Sequence, residues 1–119
     1  MRNELRLRGR KAFDAVFQQG RLWANGLLVL RAAPNGLEHN RYGFVISKRL
    51  GKAVVRNKVR RRLREGLRTL SPRPGWDIVI SARGAAAQAD YSALRRAVAS
   101  LLARAGILDA DQEKRDDRA

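Results

Sequence analysis

The stretch KRLGKAVVRNKVRRRLRE, Lys48 to Glu65, places nine basic residues in its first seventeen positions and no acidic one. Arginine presents a planar fork that meets phosphate oxygens bidentately, so a dense arginine run has phosphate binding as its natural chemistry. Val55, Val59, Leu63, Leu67 and Leu70 recur through and beyond the run at helical spacing. On a helical wheel they fall within an arc of roughly 120°. With Arg56 at 0°, Arg60 lies at about 40°, Arg64 at about 80°, Asn57 at about 100°, Arg68 at about 120° and Arg61 at about 140°. One flank of the predicted helix is thus an arginine ladder with Asn57 at its N-terminal end. Arg56 falls inside the apolar arc, which predicts that it lies in the first turn, past the edge of the core. A solvated helix face is the plain alternative. Such faces mix charge signs and gain from i, i+4 pairs, whereas here Glu65 is the only acid on the helix.

The rest of the chain holds little that could do covalent chemistry. It has no cysteine, hence no disulfide, thiolate zinc site or cysteine nucleophile. The single histidine, His39, sits in a turn sequence and reads as a surface residue. Gly51-Lys52 fails as a P-loop, because Ile46 stands where a glycine is required and Ala53 where a hydroxyl is. Outside the last eleven residues the acids are Glu4, Asp14, Glu38, Glu65, Asp77 and Asp90, and none share metal-ligand spacing. Phe13 and Phe17 share one face of a short helix and Phe44 lies on a strand. Aromatics in a positive groove can stack bases, although core packing is the simpler role for each.

Charge over the whole chain agrees with a polyanionic partner. The net charge is +15 over 119 residues, and residues 1–106 hold 23 basic and six acidic residues, a balance of +17. Such a surface repels itself unless it meets nucleic acid or an anionic membrane. No apolar run approaches 18 residues. The start, MRNELRLRGRKAF, is basic without an apolar run behind it, unlike a secretory signal.

The elements that must position these residues follow from periodicity and turn residues. A short helix is predicted over 12–18, ended by Gly20. Leu27–Ala32 and Tyr42–Ser47 read as strands and are expected to be antiparallel neighbours across the turn at Pro34-Asn35-Gly36. The basic helix spans 53–70, with Gly51 or Lys52 at its start and Ser71-Pro72 at its end. Trp76–Ala82 is a third strand. Asp90 caps a last helix running to Ala105, with Gly106 as its stop. Residues 1–106 form one domain and 107–119 a charged, disordered tail. The expected class is α+β, a two-layer α/β sandwich with a small sheet.

The run Arg41 to Glu65, with Gly51-x-Ala53-Val54-x-Arg56-Asn57 at its heart, resembles the signature of the bacterial ribonuclease P protein subunit. Arg6-Leu7, Phe13-x-x-Val16-Phe17-x-x-Gly20, Trp76-Asp77-Ile78-Val79-Ile80 and Ala82-Arg83 extend the likeness over roughly residues 5–105. The resemblance implies a mixed sheet with a left-handed βαβ crossover, like that of the second domain of a small-subunit ribosomal protein. It implies a cytoplasmic subunit of a ribonucleoprotein that removes the 5′ leader of precursor tRNA. Catalysis would belong to the RNA, with Mg2+ held by that RNA rather than by a protein site, and no membrane or protein partner is implied. Lys48, Arg49, Lys52, Arg56, Asn57, Arg60, Arg61, Arg64 and Arg68 would face the catalytic RNA. Phe13, Phe17, Arg31 and Phe44 would line a cleft for the single-stranded leader. The family often carries an aromatic at Arg31, so a phosphate contact would there stand in place of stacking. A non-catalytic RNA-binding or ribosomal protein is the alternative reading, and a protein-only nuclease a third.

Overall fold

A computed structural model describes residues 5–109. The elements are α1 (Arg10–Gln19), β1 (Arg21–Ala24), β2 (Leu28–Pro34), β3 (Arg41–Val45), α2 (Ala53–Thr69), β4 (Trp76–Ala82) and α3 (Tyr91–Arg104). The sheet order is β1-β2-β4-β3. β1 and β2 form an antiparallel hairpin, β2 is antiparallel to β4, and β3 runs parallel to β4. The class is the expected α+β with a mixed sheet.

Two expectations about strands give way. β1 was not foreseen. Its turn is closed by Asn25, whose Oδ1 accepts from the Leu27 and Leu28 amides at 3.1 and 2.9 Å. β2 and β3 are not neighbours either, because β4 lies between them. Ile78, Val79 and Ile80 are buried on both faces of β4, the mark of a central strand. The 35–40 loop spans the start of that strand. The Asn35 amide donates to Gly75 O at 2.9 Å, and Asn40 Oδ1 accepts from the Trp76 amide at 2.8 Å.

Alternation along the strands divides the side chains between two faces. Leu28, Leu30, Ile78 and Ile80 meet Val59, Leu63, Leu67, Leu94, Val98, Leu101 and Leu102 of α2 and α3 in the main core. Val79, on the opposite face, packs with Leu7 and with Val16 of α1. Among the described residues α1 is therefore the one helix on the second face. Gly20 permits its close approach, since a Cβ there would fall 2.4 Å from Val16 O and 3.1 Å from Ala32 O. Arg6 and Leu7 extend the sheet at the β3 edge, with the Leu7 amide donating to Tyr42 O at 2.9 Å.

α3 starts as expected, with Asp90 Oδ1 accepting from the Ala93 amide at 2.8 Å. The boundary after residue 106 shifts, however. Ile107 and Leu108 are buried in the main core, and Arg73 binds Asp109 at 2.7 Å. Gly106, at φ +78°, turns the chain back so that these two side chains reach the core. The remainder of the expected tail, and residues 1–4, lie outside the described residues.

Candidate functional site

α2 follows a short 3-10 turn, Lys48–Leu50, capped by Ser47, whose hydroxyl accepts from the Arg49 amide. Gly51, at φ +135°, bends the chain into the helix, and Lys52 is the N-cap without a side-chain bond. The first turn thus offers amide donors and a partial positive charge. Lys48, Arg49 and Lys52 are exposed around it, and Val54 is 70% exposed beside them.

The arginine ladder has the predicted flank, with differences in detail. Arg60 donates to Asn57 Oδ1 at 3.0 Å, which orders the N-terminal end. Arg68 pairs with Glu65 at 2.8 Å, so of the nine predicted RNA-facing residues it alone is bound to a carboxylate among the described residues. Arg62 is turned away and donates to Ala89 O at 2.8 Å. Arg56 is half-buried rather than clear of the core. Among the described residues, the Nε atoms of Arg56 and Arg64 are buried and have no hydrogen-bond partner. Leaving such a donor unmatched costs about 1–3 kcal/mol.

The structure brings part of this ladder to an aromatic cleft of about 360 Å³ at the β3 edge. It is lined by Arg60 and Arg64 of α2, by Arg6, Leu7, Arg8 and Gly9 ahead of α1, and by Phe13, Tyr42, Gly43 and Phe44. Among the described residues no carboxylate lines it. Arg6 and Arg8 were missed from sequence. The alternation Leu5-Arg6-Leu7-Arg8, with Leu7 buried, is the signal that could have found them.

The four predicted cleft residues separate. Phe13 is seated on Gly43, where a Cβ would fall 2.4 Å from its ring, and it packs beside Val16 and Leu7. Phe17, one turn later on α1, is 43% exposed. Arg31 reaches it from β2, with its guanidinium carbon 4.4 Å from the ring centroid. Phe44 corrects the expectation of one shared aromatic surface. Strand alternation turns it to the face of α2 and α3, where it packs on the main core, so it meets the cleft from across the sheet edge and not beside Phe17.

One titratable cluster holds the start of the parallel pair. Arg41 donates Nε and Nη2 to the two oxygens of Asp77 at 2.8 and 2.7 Å, and Asn35 Nδ2 adds a bond at 3.0 Å. Burial pushes the Asp77 carboxyl up. Hydrogen bonds from Arg41 and Asn35, with the charges of Arg41 and His39, outweigh it and hold the group below the usual carboxylate range. Among the described residues, no three His, Asp or Glu side chains gather as a metal cluster. No helix among them is long and apolar enough to cross a membrane.

Fold and site together define a small cationic α+β domain whose arginine-bearing helix borders an aromatic cleft. The family model described as Ribonuclease P matches residues 1–106. The ribonuclease P protein component of Roseiflexus castenholzii is 43% identical over 121 aligned positions, covering 99% of each chain. That of Dehalococcoides mccartyi is 41% identical and covers 100% of this chain and 99% of its own. The structure resembles the RNase P protein of Staphylococcus aureus with a TM-score of 0.80 at 26% identity, covering 88% of this chain and 98% of that one. The Thermotoga maritima RNase P protein gives 0.75 at 32% identity, covering 83% and 96%. The chain belongs to the ribonuclease P protein family. It is therefore a component of a ribonucleoprotein of tRNA processing, with an RNA as its partner.

Proposed function

We propose that this chain binds the catalytic RNA of ribonuclease P through α2 and the turn before it, and holds the 5′ leader of precursor tRNA between α1 and the sheet. Lys48, Arg49, Lys52, Arg56, Asn57, Arg60, Arg61 and Arg64 carry the first contact, as phosphate ligands. Arg68 contributes less, because Glu65 neutralises it locally. Phe17 and Arg31 carry the second contact, with Phe13 shaping the wall. Cleavage at the mature 5′ end is the work of the RNA, with Mg2+ held by RNA and substrate. The protein acts in the cytoplasm and raises the affinity for substrate and metal by adding positive charge beside the leader.

The observation that carries this reading is the cleft in which Arg60 and Arg64 of α2 meet Phe13 of α1. One RNA-bound helix and one leader-bound helix would there share a wall, so the protein can set the leader against the catalytic RNA. Binding of precursor and mature tRNA to the reconstituted particle tests it. Phe17→Ala should weaken precursor tRNA and leave mature tRNA unchanged. Equal losses for the two would return Phe17 to a packing role and remove the leader contact from the α1 face of the sheet.

A further inference from the structure

Three arginines gather at the β1 edge of the sheet, which the order β1-β2-β4-β3 sets opposite the β3 edge that borders the cleft. At about 4.8 Å per strand the two edges stand roughly 14 Å apart. Arg83 and Arg104 arrive from different elements at consecutive carbonyls of the β1–β2 turn. Arg83 Nη1 donates to Asn25 O at 3.0 Å, and Arg104 Nη1, from the last turn of α3, donates to Ala24 O at 2.8 Å. The Arg83 amide also donates to Leu27 O at 2.8 Å, so backbone and side chain both hold this residue to the turn. Asn25 ties the same turn to α3 by donating Nδ2 to Ala97 O at 3.1 Å. Arg21, at the other end of β1, has its guanidinium carbon 5.3 Å from the centroid of the Trp23 ring. Trp23 packs on the main core, so strand alternation puts Arg21 on the side of α2 and α3 and not on that of α1.

All three arginines are exposed. Asn25 already closes the turn through the Leu27 and Leu28 amides, and each arginine–carbonyl bond uses one of the five N–H donors of a guanidinium. Among the described residues no carboxylate pairs with Arg21, Arg83 or Arg104. Residues 78–108 hold four arginines and a single acid, Asp90, whose Oδ1 caps α3. Tethered forks of one sign with no counter-charge complement a run of phosphates. We infer that the β1 edge is a second RNA-binding surface, on which Arg83, Arg104 and Arg21 take the phosphate backbone of a further segment of the RNA subunit. The row belongs to the helix layer, as the α2 ladder does, whereas the leader is read to the α1 face. The chain thereby bridges two segments of one RNA. The inference goes beyond the α2 contact and rests on the reading of the RNA subunit as partner.

The test is binding of the full chain to a bacterial ribonuclease P RNA across a salt series, with hydroxyl-radical footprinting of the RNA. Arg83→Gln with Arg104→Gln should weaken the RNA roughly ten- to hundredfold, as expected for two charge-assisted contacts. The log–log salt slope should become shallower by about 1.4 to 1.8, two phosphates. Combined with Arg60→Gln and Arg64→Gln, the losses should multiply, since distant sites act independently. Each pair should lose protection at RNA positions where the other pair keeps it. Arg83→Lys with Arg104→Lys should retain slope and footprint. If the glutamine pair fails to fold, Arg21→Gln, which makes no turn bond, reads the same surface by a slope shallower by about 0.7 to 0.9. Unchanged affinity and slope in these variants, while Arg60→Gln with Arg64→Gln still weakens the RNA, would overturn the inference and leave the α2 contact standing. Loss of protection at the same RNA positions for both pairs, or a selective loss of precursor over mature tRNA, would also overturn it. No effect from either pair would overturn both readings.

Discussion

Replacing Gly43 by alanine probes how Phe13 is held. The new methyl would sit 2.4 Å from Phe13 Cζ and 2.7 Å from Cε2. Carbon atoms pack at about 3.5–4.0 Å, so the ring must leave its seat on β3. The backbone itself accepts alanine, since Gly43 is not among the positive-φ glycines. Alanine there would otherwise gain about 0.4–1 kcal/mol by restricting the unfolded chain. Overpacking costs about 1–3 kcal/mol, so the net loss should be on the order of 1–2 kcal/mol. Urea unfolding of Gly43→Ala, Phe13→Ala and the double variant measures it. With Phe13 already removed, Gly43→Ala should be neutral or slightly stabilising. The same displacement alters the wall beside Arg60 and Arg64, so precursor tRNA should bind less tightly while mature tRNA is unaffected. Equal cost of Gly43→Ala in both backgrounds would refute the seating of Phe13 on the strand.

Three further outcomes follow from the fold and its charges. Asp77 is held below its ordinary pKa, so it adds stability above the unfolded value of about 4 and loses it as pH falls through the lower folded value. Asp77→Asn should therefore cut stability at pH 7 and flatten the acid limb of a pH–stability profile, and an unchanged limb would contradict the Arg41–Asp77 clamp. Truncation after Gly106 should leave the chain a few kcal/mol less stable in thermal unfolding than truncation after Asp109, through loss of Ile107 and Leu108; equal stabilities would place both side chains outside the core. Affinity for single-stranded RNA should fall with salt at a log–log slope of about −0.7 per phosphate contacted, and a flat response in a filter-binding titration would exclude phosphate-dominated binding.

Much of this was legible where a local rule and the tertiary need agree. The α2 ladder follows from valine and leucine spacing, and α3 from the Asp90 cap and the Gly106 stop. The β1–β2 hairpin was equally local, because Asn25-Gly26 is a strong turn signal, but Leu22 and Trp23 form too short a run to stand out. The separation of β2 from β3 is not local. It depends on β4, which arrives after α2 and is inserted because its continuous Ile78-Val79-Ile80 run needs burial on both faces. The site divides in the same way. The arginine flank of α2 is a one-helix property and could be drawn on a wheel. That Phe44 turns away from Phe17, that Arg31 covers one face of that ring, and that Arg6 and Arg8 reach Arg60 and Arg64 all depend on strand parity and on the edge position of β3.

The role of the chain as RNA partner and leader holder is tested most directly by cleavage of precursor tRNA. The wild-type chain is added to a bacterial ribonuclease P RNA at magnesium too low for the RNA to act alone. Cleavage at the mature 5′ end should rise with the chain, and the rise should shrink when Arg60 and Arg64 are both replaced by glutamine. No enhancement by the wild-type chain, or cleavage by the chain without any RNA subunit, would contradict that role.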